Sequence, residues 1–282
     1  FPPDAPTGAT DAEGTGSSAG AASTLVVALL YCGAMRAVPV TAFTVASAIG
    51  VGVDATVEAV CAMRSGLRAN DFDAGPPRGW IGRVDGLEML TLPMALASFD
   101  CRNHRLAWLG LQADGFIDAA RRARERVGAA RIAVLVGSST AGVLSTEAAY
   151  RRRDENGRLP LDFNYRRAHH YGALAEFVSV AIGAEGPVQT ISTACSSSAK
   201  VFAAAARWLE LGLCDAAVVG GVDSLCGTTL HGFESLQLVS PLACRPFDVE
   251  RAGISLGEAA AFVLLEREPA AATLAEAPRL LG

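Results

Sequence analysis

The sequence predicts an α/β protein: a mainly parallel, five-stranded sheet covered by helices. Two observations carry this expectation. Short apolar runs bounded by glycine and small polar residues alternate with longer segments of helical spacing. That alternation implies βαβ units with right-handed crossovers. In 282 residues, 51% hydrophobic and 19% charged content is enough for a large core and excludes a disordered chain.

The elements follow in order. Residues 1–23 are, apart from Phe1 and Glu13, Gly, Ala, Ser, Thr, Pro and Asp with little to bury, and disorder is expected there. The chain opens with Phe1, and Met35 stands just before a strand-like run at 38–45 (VPVTAFTV). We therefore expect 1–34 to be a disordered or non-native extension, and 35–282 to be the domain. Residues 54–64 have helical spacing, with Asp54 as N-cap. Residues 66–86 are rich in Gly, Pro and Asp and read as loop. Residues 105–126 read as one long amphipathic helix, its basic run 121–126 a solvated face. A buried strand is expected at 131–136 (RIAVLV), ending in Gly137-Ser138-Ser139. Residues 150–168 read as a polar surface excursion, 173–182 as helix, 189–193 as a short strand and 196–211 as an Ala-rich helix. Buried strands are expected at 216–221 and 259–265.

Composition narrows the function. A net charge of -5 and a pI near 5.4 argue against a nucleic-acid binder, which needs a basic face. Seven cysteines, an odd number without a CxxC pair, fit neither a disulfide framework nor a zinc site. A reduced, cytoplasmic protein without metal or cofactor is expected. The apolar run at 25–31 is too short to cross a bilayer.

The chemistry concentrates at 189–200 (QTISTACSSSAK). A strand ends in small residues, a long helix begins, and Cys195 stands between them. A thiol there meets free N–H groups and the positive end of the helix dipole, which favours the thiolate. This is the placement a cysteine nucleophile in acyl transfer requires, and its own N–H can donate to an oxyanion. On the residues alone, a buried structural cysteine stays open as the alternative.

The segment STACSSSA around Cys195 resembles the active-site segment of the beta-ketoacyl-acyl carrier protein synthases, the elongating branch of the thiolase-like condensing enzymes. Segments 137–143 (GSSTAGV), 215–224 (DAAVVGGVDS), 233–241 (FESLQLVSP) and 245–258 (RPFDVERAGISLGE) resemble further family motifs in the same order. The resemblance implies a thiolase-like fold and a cytoplasmic dimer, homomeric or heteromeric. It implies Cys195 as catalytic nucleophile, and acyl carrier protein with acyl and malonyl thioesters as partners. Cys195 would hold the acyl chain; malonyl carrier protein would lose carbon dioxide and its carbanion would attack the acyl group. By position, Thr140 and Phe233 would line an acyl pocket, with ordinary core packing the alternative for Phe233.

One departure matters. The family uses two histidines in its second half to drive decarboxylation. His104, His169, His170 and His231 all lie upstream of those segments and lack their neighbours. The chain therefore reads as the N-terminal half of a condensing enzyme, with the C-terminal half absent. The rival readings are a non-catalytic, chain-length-type partner subunit and an inactive fragment. Ser197 and Lys200 form an S-x-x-K pair, but K-T-G is impossible when Lys200 is the only lysine. The glycines of 50–55 (GVGVDA) read as a turn into a helix rather than a dinucleotide site. Adjacent His169 and His170 would point apart on a helix, and the motifs flanking Cys195 argue against pairing it with His231 as a protease dyad.

Overall fold

The computed structural model describes residues 37–72, 79–269 and 277–281. The expectations for 1–34, and for Met35 as the start, lie outside the described residues. In chain order, β1 is Val38–Ser47, β2 Gly50–Val51, α1 Val53–Cys61, β3 Arg68–Ala69 and β4 Trp80–Gly82. Then come α2 Arg102–Gln112, α3 Phe116–Val127, β5 Ile132–Gly137, α4 Val143–Arg151 and α5 Gly172–Ile182. The second half holds β6 Val188–Ile191, α6 Ser197–Glu210, β7 Ala216–Asp223, α7 Gly227–Ser235, β8 Leu256–Gly257, β9 Ala259–Glu266 and β10 Arg279–Leu280.

Five of these strands make the body of one sheet in the order β1-β9-β7-β5-β6, with β10 outside β1 and β2 folded back on the end of β1. β5 pairs in parallel with both β6 and β7, while β9 lies antiparallel between β7 and β1. Four of the five strands thus share a direction, and β9 alone opposes them. Parallel strands are buried on both faces, and β5 (IAVLVG) is buried along its whole length. Its side chains alternate between two cores. Ile132, Val134 and Val136 meet Leu106, Phe116, Leu174 and Phe177 of α2, α3 and α5. Ala133 and Leu135 meet Val201, Ala205 and Leu209 of α6.

Several sequence expectations need correction. The predicted helix 105–126 is two helices, broken where Asp114 and Gly115 adopt φ of 56° and 65°. The break has a use: the Asp114 carboxylate accepts the Val53 N–H at 3.0 and 3.1 Å and so caps α1. Asp54 is therefore not the N-cap. It sits in the first turn, and Gly52, at φ 93°, occupies the cap position. The 66–86 segment is not all loop, since β3 and β4 form a small second sheet with β8. The basic face of α3 is only partly solvated. Arg121 and Arg124 donate to the carbonyls of Ala181 and Ile182 at the end of α5, and Arg126 pairs with Glu266 at 2.6 Å.

One buried ion pair ties the small sheet to the large one. Glu258, between β8 and β9, accepts from Arg102 Nε at 2.8 Å and Nη2 at 2.5 Å, and from the N–H groups of Val84 and Leu225, both at 2.9 Å. Arg102 also bonds Glu88 and lies over the Phe72 ring, 5.1 Å from its centroid.

Candidate active site

The strand-to-helix junction at Cys195 is an elbow. β6 ends at Ile191 and α6 begins at Ser197. Between them Ala194 takes a φ of 53°, a left-handed conformation that its Cβ disfavours. Hydroxyls brace this turn. Ser197 Oγ accepts the Thr193 N–H at 2.9 Å and donates to the Ala194 carbonyl at 2.7 Å. Ser196 Oγ donates to the Thr193 carbonyl at 2.9 Å. The result leaves Cys195 exposed, one residue before the Ser196 cap of α6.

The glycines at the neighbouring strand ends let α6 sit this close. A Cβ on Gly137 would fall 2.5 Å from Ser197 C and Ser198 N. One on Gly221 would fall 2.5 Å from Ser198 Cβ. The first turn of α6 therefore lies directly on the ends of β5 and β7, with its N-terminal dipole end beside Cys195. A carbonyl oxygen gaining negative charge beside Cys195 would face that end of the helix.

Thr140 and Phe233 are held in different settings. Thr140 is buried in the turn after β5, which the Asp223 carboxylate organises. Asp223 Oδ1 accepts from Ser138 Oγ, the Ser139 and Thr140 N–H groups and Thr140 Oγ1, at 2.7 to 3.0 Å. Asp223 Oδ2 accepts from Ser139 Oγ at 3.0 Å. Thr140 Oγ1 in turn accepts the Ser224 N–H at 3.1 Å, so its hydroxyl is committed to the turn. Phe233 is half-buried on α7, whose start is held by Glu147 through the N–H groups of Gly227 and Thr228 at 3.0 and 2.6 Å. A cavity of about 840 Å³ opens beside the first turns of α6, walled by Ser198, Phe202, Gly220, Asp223, Ala261 and Val263 among others. Cys195, Thr140 and Phe233 are not in its lining.

The other thiols and the histidines are placed differently. Burial pushes Cys101 up to about 12 and Cys214 up to about 11, and raises Cys226 as well. Cys61 is exposed like Cys195, but it closes α1 rather than preceding a helix. His104 is sealed in the core, stacked on Phe177 at 5.0 Å with Nδ1 2.6 Å from the Phe99 carbonyl, and burial holds its pKa down to about 4. His169 Nδ1 meets Thr146 Oγ1 at 2.6 Å, and His170 Nδ1 accepts the Gly172 N–H at 3.2 Å. His231 lies 3.5 Å from Glu234. In the S-x-x-K pair, Ser197 Oγ has both its bonds inside the elbow and Lys200 is exposed. Among the described residues, no three His, Cys, Asp or Glu side chains gather as a metal site, and no helix is long and apolar enough to cross a membrane.

Sequence reasoning passed over Asp223 and Glu258, and weighed Ser197 only as half of an S-x-x-K pair. All three stood inside segments noted for their resemblance, and the signal available was a polar residue at the end of an apolar strand or the start of a helix.

Comparison with known proteins bears on the fold and the family. Residues 35–271 match the family model described as beta-ketoacyl synthase, N-terminal domain. A Streptomyces virginiae protein provisionally named a polyketide beta-ketoacyl synthase is 35% identical over 148 residues, covering 48% of this chain and 35% of that protein. Nodulation protein E of Rhizobium meliloti is 34% identical over 139 residues, 49% of this chain and 34% of its own. A ketosynthase solved in complex with its chain length factor, from Xenorhabdus doucetiae, superposes with a TM-score of 0.72 at 31% identity, over 83% of this chain and 59% of that one. The chain thus spans less than two thirds of the length of the relatives it matches.

Proposed function

Because the chain belongs to the beta-ketoacyl synthase family, whose N-terminal domain it carries, we propose that Cys195 is the acyl-accepting nucleophile of a carbon–carbon-forming acyltransferase. The observation that supports this most is the exposed sulfur on a braced elbow at the head of α6. In the proposed reaction, Cys195 Sγ attacks the carbonyl carbon of an acyl thioester and the carrier's thiol leaves, giving an acyl-enzyme. A malonyl thioester then loses carbon dioxide, and its carbanion attacks the acyl carbon. The Cys195 sulfur departs, leaving a beta-ketoacyl chain two carbons longer. The substrates are acyl and malonyl groups on an acyl carrier protein, in fatty-acid or polyketide-type synthesis.

His104 is sealed in the core, and His169, His170 and His231 lie against Thr146, Gly172 and Glu234, so we assign decarboxylation to none of the four. The working protein is a dimer in this reading, and the Xenorhabdus neighbour, solved with a chain length factor, favours a heteromeric one. Six free cysteines among the described residues suit a reduced, cytoplasmic setting. Thr140 and Phe233 remain our proposed acyl-pocket residues, Thr140 through its methyl group because its hydroxyl is bound in the turn. The alternative, a non-catalytic partner subunit, has no use for a braced nucleophile.

The test is transfer from acyl carrier protein. Incubation with an acyl-carrier thioester should add one acyl mass to the chain, and Cys195→Ala should abolish the addition. Undiminished addition to Cys195→Ala would overturn the proposal.

A further inference from the structure

The side chains at the head of α6 act backward. Ser196 occupies the cap position without giving the helix a side-chain hydrogen bond, and Ser197, the first helical residue, aims its hydroxyl at the preceding turn. Ser197 is 2% exposed, so its oxygen has no use in solvent and does not face a substrate. Its two bonds close over two residues, Thr193 and Ala194. It accepts from the peptide N–H of Thr193 and donates to the carbonyl of Ala194, the peptide that leads directly into Cys195. Of these two, Ala194 is the one held at φ 53°. A residue with a Cβ leaves this region unless its surroundings hold it there. The first turn of the helix is seated closely on the strand ends, where a Cβ on Gly137 or Gly221 would fall 2.5 Å from it, which leaves little room to move toward them.

We propose that Ser197 is a positioning residue for Cys195: its hydroxyl clamps Ala194 in the left-handed conformation and so sets the direction of the sulfur. The proposal rests on the reading of Cys195 as acyl acceptor. Displacing a reacting group by about 1 Å can slow a reaction on the order of 100-fold. Ser197 touches no substrate, so its loss acts on the rate of acyl loading rather than on binding.

The experiment loads the protein with the hexanoyl thioester of N-acetylcysteamine and follows the adduct on the Cys195 peptide by mass spectrometry. Ser197→Ala should slow loading at saturating thioester by about 10-fold or more, with the half-saturating concentration unchanged. Ser197→Thr, which keeps the hydroxyl, should return to within about threefold of wild type. Ala194→Gly combined with Ser197→Ala should recover part of the loss, since glycine takes the left-handed conformation without a clamp. Where Ser197→Ala does not fold, Ser197→Thr against Ser197→Val makes the same comparison of hydroxyl with methyl. Wild-type loading by Ser197→Ala or by Ser197→Val, or equally slow loading by Ser197→Thr and its hydroxyl-free counterpart, would overturn the clamp and leave the nucleophile standing. A wild-type protein that takes no acyl group would overturn the reading of Cys195 itself, and this proposal with it.

Discussion

Removing the Arg102 guanidinium should be among the most damaging single changes outside the elbow. The Glu258 side chain is 0% exposed and that of Arg102 only 7%. In Arg102→Ala the Glu258 carboxylate stays buried with only the Val84 and Leu225 N–H groups, which do not neutralise it. Leaving one partner of such a pair uncompensated costs about 3–5 kcal/mol. At roughly 2–4 °C per kcal/mol for a chain of this size, the melting midpoint should fall by roughly 6–20 °C. Urea unfolding at pH 7 measures the loss directly, with an unchanged m-value showing that the folded state is still compact. Arg102→Lys should fall between, because a single ammonium cannot make the two-pronged contact. Arg102→Met with Glu258→Leu should be less damaging than the two single losses added. A loss below about 1 kcal/mol in Arg102→Ala, or strict additivity in the double variant, would refute the claim that this pair joins the two sheets.

Two further outcomes are expected. His104 has a native pKa of about 4 because it is buried, whereas an unfolded histidine binds a proton near pH 6.5. As pH falls below 6.5 the unfolded chain therefore takes up a proton that the native one refuses, and stability drops until about pH 4, by up to about 3 kcal/mol. Urea midpoints from pH 7 to pH 4 should show a shallower fall in His104→Gln than in wild type, and identical slopes would contradict this. Gly137→Ala places a Cβ 2.5 Å from the backbone of Ser197 and Ser198, so α6 must move. A destabilisation of about 1–3 kcal/mol and slower acyl loading at Cys195 should both appear, whereas wild-type loading would show that the seat of α6 does not set the sulfur.

What the sequence showed and what it hid divide along the range of the interactions. Residues 131–136 and 216–221 were legible because a strand covered on both faces is apolar throughout, and α6 because small residues precede a long Ala-rich run. The place of Cys195 between a strand and a helix was legible for the same local reason. The break at Asp114 was not, because the partner that uses it, Val53, lies 61 residues earlier. The antiparallel insertion of β9 between β1 and β7 left no mark, since its buried residues read the same in either direction. β3 and β4 have two and three residues, too few for a period, and their coherence comes from pairing with β8. Asp223 and Glu258 looked like polar ends of apolar segments. Their weight lies in bonds to residues 83 and 156 positions away.

The central claim is that placement, and not exposure alone, makes Cys195 the acyl acceptor, and Cys61 is the built-in control because it is exposed too. Peptide mapping after brief incubation with an acyl-carrier thioester tests this most directly. The account predicts the acyl group on the peptide containing Cys195, with Cys61 and Cys244 unmodified. An adduct shared equally between Cys61 and Cys195, or found on Cys61 alone, would contradict it.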